Sequence, residues 1–414
     1  MNTFFIVTSA HACTELIVET NQLRDYLVKN DFTEVGRREE ADLILVSTCS
    51  FNQQYEDEAY RNITESRTNR KPGAQVIVSG CYPKIAPHVF KEFPDVVDIP
   101  PLNMEKIETI IAPKRTSFRD SVTNSVNDHE YLKSSTFMVG RRLKNAVTRV
   151  QKYLPFVQMP NWLDSLPMTD WYFIQGGNGC LGNCTFCAIK HARGKIKSTG
   201  LDQIMPQLER AVRRGYKTIS FTGTDMGCWG QDIGSSLPDL LNEVVKVPGD
   251  FVVDMHYVEP DWLIKYIDRL EPVFQSGKIR SFGSPVQSGS NRILKLMGRN
   301  YVIEDYIRVV NHVIDNTRVK SMNSIVMVGF PRETKEDFLE TYNLINKVKI
   351  SYWCLLKYEG RHNIPSEKLD GKVPEEIAVN RLQRIERKAK LRNYVGLSDA
   401  LVEKIVRKCY GPVR

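Results

Sequence analysis

Cys180, Cys184 and Cys187 constrain this chain more than any other feature. They lie in the run IQGGNGCLGNCTFCAIKHARGKIKS, residues 174–198, with C-x3-C-x2-C spacing. Three thiols so close together cannot pair off as disulfides without leaving one over. Tetrahedral zinc wants a fourth protein ligand nearby, and no cysteine follows until Cys228. Three thiolates do suit a [4Fe–4S] cluster whose fourth iron stays open. An open iron can bind a small chelating ligand, here the amino and carboxylate groups of S-adenosylmethionine. The competing readings are a zinc knuckle and buried free thiols, and the spacing leaves zinc one ligand short.

The surroundings favour the cluster. Asp170–Gln175 (DWYFIQ) is aromatic and β-branched, so it reads as a strand running into a glycine-rich turn. Phe186, between the last two cysteines, can cover a cluster or pack near an adenine.

A second cysteine pattern lies upstream. Asn2–Ser9, Asp42–Ser47 and Gln75–Ser79 read as strands, with helices over about Leu16–Lys29, Tyr55–Asn69 and Pro87–Phe93. This β-α-β-α-β-α order implies a small parallel sheet of flavodoxin-like style. Cys13, Cys49 and Cys81 each follow the carboxyl end of one of its strands. In an open α/β sheet those loops gather at one edge, where ligands bind. Three cysteines there make a second three-thiolate site, again with an open position. The competing reading is three cysteines buried as small hydrophobes.

From Pro113 to about Leu166 the pattern breaks down into a polar stretch and a basic amphipathic segment, Gly140–Lys152. Beyond it strands and helices alternate. Tyr172–Gln175, Thr218–Thr222, Phe251–Tyr257, Ile279–Gly283, Met322–Val328 and Tyr352–Tyr358 read as six strands of a partial (β/α)6 barrel with its site at their carboxyl ends. The organisation expected is an α/β chain: 1–112 as the first sheet domain, 113–166 as a linker, 167–377 as the barrel and 378–414 as a basic helical tail. Nine cysteines without a secretion signal point to a reducing, cytoplasmic compartment, and no apolar stretch reaches the length of a membrane span. A net charge of +8 does not by itself establish a nucleic-acid partner.

The ordered motifs resemble the radical-SAM methylthiotransferase family. Cys13, the Thr48–Ser50 and Ser79–Cys81 segments, Gly179–Cys187 with Arg193–Gly194, Phe221–Asp232, Glu259–Pro260, Pro285–Tyr301 and Val326–Phe338 carry the resemblance, over about 1–112 and 170–393. Lys190 stands where the family often has proline. The resemblance implies two [4Fe–4S] clusters, one held by Cys180, Cys184 and Cys187 and one by Cys13, Cys49 and Cys81. S-adenosylmethionine would be both radical source and methyl donor. Asp225 would lie near its amino group, Ser284, Gln287 and Ser288 along the ribose, and Val328 and Gly329 by the adenine. The implied reaction inserts a methylthio group at an unactivated C–H bond and needs an external one-electron reductant, flavodoxin-like or ferredoxin-like. The two clusters would have to face each other across one cavity. The alternative class is an iron–sulfur binding or electron-transfer protein without turnover.

Most of the family modifies tRNA and ends in a small β-barrel, for which the 21 residues after Asn393 are too few. On that ground the expected substrate is a ribosomally made peptide or another non-tRNA molecule, with tRNA adenosine-37 the alternative. The Ala378–Lys408 segment, basic on balance, is expected to be a helix packed on the barrel. Cys228, Cys354 and Cys409 are expected to be structural.

Overall fold

The computed structural model describes residues 2–9, 12–121, 171–393 and 398–410. The basic segment Gly140–Lys152 lies outside the described residues.

The first sheet is parallel throughout, with strands β1 (Thr3–Val7), β2 (Thr33–Glu34), β3 (Leu43–Thr48), β4 (Gln75–Gly80) and β5 (Val97–Ile99) in the order β2-β1-β3-β4-β5. This is the flavodoxin-like order, and its switch point lies between β1 and β3. The central strand β3 is buried along its whole length, as its unbroken LILVS run requires of a sheet covered on both faces. β2 and β5 escape the sequence reading because two or three residues show no periodicity. The helix expected over Pro87–Phe93 is instead two single turns, Tyr82–Ile85 and Pro87–Phe90, each with proline in its first turn.

The chain stays packed on this sheet beyond the expected end of the domain. Phe118 is buried against Tyr26, ring centroids 5.9 Å apart. The Asn30 side chain accepts from the Lys114 and Arg115 amides at 2.8 and 2.9 Å.

The second sheet runs β13-β12-β11-β10-β9-β6, all parallel: β6 (Trp171–Gln175), β9 (Thr218–Thr222), β10 (Val252–Tyr257), β11 (Ile279–Gly283), β12 (Ser321–Val328) and β13 (Tyr352–Lys357). A short antiparallel pair, β7 (Gly177–Asn178) with β8 (Lys197–Ser198), ties the two ends of the cysteine loop together. Five consecutive neighbour pairings without closure give the partial barrel read from the sequence.

The basic tail forms two helices, Glu375–Asn393 and Asp399–Tyr410, and the first lies against β13 and β12. Arg381, Arg384 and Lys388 are buried in that packing. Arg381 Nη1 pairs with Glu333 Oε2 at 2.6 Å, and the Glu333 side chain is fully buried. Glu333 Oε2 also accepts from the Gly329 amide at 2.8 Å, so the pair fixes the turn that leaves β12. Removing one partner of such a pair strands the other charge. Arg381→Ala is therefore expected to destabilise the fold by about 3–5 kcal/mol in chemical denaturation. A loss below about 1 kcal/mol, the range of an exposed pair, would show that the tail does not hold the barrel.

Candidate functional site

Strand register brings the first triad together. Thr48 pairs with Gly80, so Cys49 and Cys81 are the next residues on adjacent strands, which run roughly 4.8 Å apart. Gly80 has φ +100°, and a Cβ there would lie 2.1 Å from the Thr48 carbonyl oxygen. Glycine alone permits that approach, which lets the Cys81 amide donate to Thr48 O at 3.1 Å. Cys13 arrives from β1, the other neighbour of β3, as the N-cap residue of helix Thr14–Lys29. It is solvent-accessible but deeply set. Burial and then Glu15 raise its thiol pKa, Arg193 lowers it, and Cys49 and Cys81 add smaller rises. Burial pushes the Cys81 thiol up to about 12 against the pull of Arg193.

The second triad lies in the loop between β7 and β8. Gly182 sits between two of its sulfurs. A Cβ at that position would lie 3.3 Å from Cys180 Sγ and 3.5 Å from Cys184 Sγ, so the missing side chain leaves a cradle that both thiols face. Burial raises the Cys184 and Cys187 thiols, and each of the two feels the charge of Cys180. The Cys180 thiol is lowered, first by a hydrogen bond from the fully buried Cys228. Cys228 thus touches the triad, Cys354 is half-buried on β13, and Cys409 is exposed and so does not serve the core. Among the described residues no three His, Cys, Asp or Glu side chains converge to chelate a single metal ion. The thiols that hold the corners of a four-iron cluster need not come that close.

The residues expected around S-adenosylmethionine divide into two groups. Asp225 is buried beside Cys180, with Sγ to Oδ2 at 3.7 Å; its Oδ1 accepts from the Gly227 and Glu259 amides at 2.9 and 3.1 Å. Burial raises its carboxyl to about 6, and a cation placed against it would restore the ionised form. Gln287 holds a left-handed backbone, φ +67°, pinned by bonds to β12 through Ile325 O and Met327 N, both 2.8 Å. Such a non-glycine residue costs on the order of 1 kcal/mol or more and persists where the surroundings impose it. Its Oε1, with Ser284 Oγ and Thr222 Oγ1, is buried with no hydrogen-bond partner among the described residues, all three at or just past the carboxyl ends of β9 and β11. Leaving a buried polar atom unpaired costs about 1–3 kcal/mol, which a polar ligand would recover.

The other group serves packing. The Ser288 hydroxyl is taken up by Thr341 Oγ1 at 3.0 Å and the Ser290 amide at 3.1 Å, so it anchors the loop to helix Lys335–Lys347. Gly329 turns towards Ala378 of the C-terminal helix, and Val328 is fully buried. Phe186 packs with Ile293, Met297 and Phe330 beneath the Arg299 guanidinium, 5.5 Å from its ring centroid. Arg299 pairs with Glu259. Both residues stand in motifs quoted above, but pairing across a barrel cannot be read from one-dimensional spacing.

The two triads meet at one seam. Cys81 and Ile85 pack with Ala188 and Ala192 of the segment that follows Cys187. Arg193 makes a bidentate pair with Glu19, at 2.6 and 3.2 Å, with both side chains almost fully buried. His256 Nδ1 and Glu15 Oε1 lie 2.9 Å apart. At the far edge Arg361 donates to Ser50 O at 3.0 Å and to Glu56 at 2.6 Å. The loops that carry the two cysteine sets are thus held together by contacts from both sheets.

A parallel sheet with a cysteine at the carboxyl end of each central strand, docked on a partial barrel with a three-cysteine loop, defines a radical-SAM enzyme with an N-terminal cysteine domain. The Radical SAM superfamily profile matches residues 174–345, and that of the uncharacterized protein family UPF0004 matches 6–100. The chain is 30% identical to the threonylcarbamoyladenosine tRNA methylthiotransferase MtaB of Aquifex aeolicus, over 88% of this chain and 83% of that protein. It is 28% identical to the tRNA-2-methylthio-N(6)-dimethylallyladenosine synthase of Acetivibrio thermocellus, over 93% and 75%. Its fold is similar to that of the radical S-adenosylmethionine methyltransferase TsrM from Kitasatospora setae, TM-score 0.59 at 16% identity, over 89% and 77%. The chain belongs to the radical-SAM methylthiotransferase family.

Gly182→Val tests the cradle. Branched methyls between Cys180 and Cys184 should lower reconstituted iron from about eight to about four per chain. The melting temperature should hold, because Gly182 is exposed. Full iron loading would show that the two sulfurs do not share that space.

Proposed function

We propose that Cys180, Cys184 and Cys187 hold a [4Fe–4S] cluster that binds S-adenosylmethionine, and that Cys13, Cys49 and Cys81 hold a second cluster. The observation that carries this reading is the seam itself, where Cys81 packs against the helix that follows Cys187. When bound, these groups supply hydrogen abstraction from an unactivated carbon and the sulfur and methyl group of the thioether. An external one-electron reductant completes the chemistry. The chain's own residues bind and shield. Asp225 receives the ligand's ammonium group, and Gln287, Ser284 and Thr222 offer it polar atoms that lack partners. Arg299 and Phe186 seal the cysteine loop against the barrel.

In this reading the first sheet with the chain through Phe118 and the barrel of 171–377 act as the two units that face each other, and the helix Glu375–Asn393 braces the barrel. No described helix is long and apolar enough to cross a membrane.

The relatives' names support a tRNA adenosine as substrate. A second reading, a ribosomally made peptide, draws support from Arg381, Arg384 and Lys388, which point inward and leave phosphate contacts to the exposed Arg387, Lys390, Lys404, Arg407 and Lys408. Bulk tRNA and candidate peptides, each incubated with enzyme, S-adenosylmethionine and reductant, separate the two by which product gains the thioether.

The assignment of cysteines has its own test. Cys180→Ala, Cys184→Ala and Cys187→Ala together should leave about four irons and abolish reductive cleavage of S-adenosylmethionine. Cys13→Ala, Cys49→Ala and Cys81→Ala should also leave about four, keep the cleavage and stop sulfur insertion. Methylthiolated product from the second variant would remove the N-terminal triad from the reaction.

A further inference from the structure

The first triad draws on a residue from the other sheet. Arg193 belongs to the loop that carries Cys187, yet its guanidinium is buried against the helix that begins at Cys13. Nη1 donates to Glu19 Oε1 at 2.6 Å and to Asn178 Oδ1 at 2.8 Å, and Nη2 donates to Glu19 Oε2 at 3.2 Å. Its neighbour Ala192 is in contact with the cluster of buried side chains around Cys81. Glu19 lies on the helix that Cys13 caps, one turn beyond Glu15. A cation from one sheet and an anion from the other therefore meet between the helix that begins at Cys13 and the segment that packs on Cys81.

Resting on the two-cluster reading above, we propose that Arg193 is a positioning and tuning residue for the cluster of Cys13, Cys49 and Cys81, and that Glu19 offsets it. The reduction potential of an iron–sulfur cluster follows the net charge around it and the hydrogen bonds to its sulfurs. Reduction adds negative charge, so a nearby guanidinium favours the reduced form and raises the potential. A nearby carboxylate does the reverse. Low local dielectric makes both effects larger than at a surface. The arrangement also means that this cluster acquires its working potential once the barrel is docked.

The test uses the full chain with Cys180, Cys184 and Cys187 changed to alanine, so that one cluster remains, followed by EPR-monitored redox titration. Arg193→Gln should shift the midpoint to more negative values. Glu19→Gln should shift it to more positive values. Arg193→Lys, which keeps the charge, should stay near the parent. A pure latch predicts otherwise: both Gln variants break the same ion pair and would shift the midpoint in the same direction or leave it unchanged. Either of those results overturns the proposal. Should Arg193→Gln fail to fold, Glu19→Gln and Arg193→Lys still decide, since a midpoint unmoved or lowered in Glu19→Gln is equally fatal. A parent without about four irons would instead refute the cysteine assignment and the proposal with it.

Discussion

The buried pair of Arg193 and Glu19 is the interaction on which the rest of the site depends. Each side chain is almost wholly removed from water, with exposures of 3% and 2%. Neither charge could be buried alone, because desolvating an isolated ion costs several kcal/mol that an opposite charge must offset. The pair forms only when the two sheets meet, so it couples their association to a specific alignment. Its partners are placed accordingly. Glu15 and Glu19 follow Cys13 on one helix, while Ser50 and Glu56, which receive Arg361, follow Cys49. The docking contacts are written on the loops that carry the cysteines, so displacing the seam displaces the thiols.

The barrel's incompleteness serves the same end. With six strands and no closure, the edge strand β6 would expose its face, and helix Thr14–Lys29 covers it through Val18 against Phe173. That helix begins at Cys13. One element therefore completes the barrel's wall and presents a thiol of the first triad. The polar atoms left without partners at the strand ends, Thr222, Ser284 and Gln287, then lie in a space bounded by protein and not by bulk water. Each carries the cost of an unpaired buried polar atom, as Ser66 Oγ and Trp353 Nε1 do elsewhere in the fold. What sets these three apart is that they gather at the strand ends beside the left-handed backbone of Gln287.

Much of this was legible in the sequence because parallel strands buried on both faces read as apolar runs. The segments IVTS, LILVS and VIVS located three strands, and the cysteine after each located an edge. The six barrel strands fall within a residue or so of their expected bounds. What could not be read was three-dimensional pairing. Glu19 and Arg193 are 174 residues apart, and nothing in local spacing says that they meet. The Ser288 side chain looked like part of the ligand loop, but its hydroxyl faces the next helix, a matter of rotamer and loop path that a motif does not encode. Cys228 seemed idle, and proximity to Cys180 through the turn at Asp225 gives it a role in the environment of the triad. The short strands β2 and β5 were invisible because they take their structure from the neighbours they pair with.

The rim of the seam carries a different chemistry from its floor. Phe51 and Leu181 stand out from the surface, 46% and 41% exposed, each within two residues of a triad cysteine and on opposite sheets. Phe51 lies near Tyr55, with ring centroids 6.3 Å apart, and Tyr55 in turn feels the charges of Cys49, Cys354 and Cys13. Apolar side chains exposed singly in this way are ordinary on a protein surface and call for no covering partner. They give no ground for preferring a planar base over an apolar peptide segment. The C-terminal helices divide their charge: Arg381, Arg384 and Lys388 are taken up in holding the barrel together, whereas Arg387, Lys390, Lys404, Arg407 and Lys408 stay exposed to solvent.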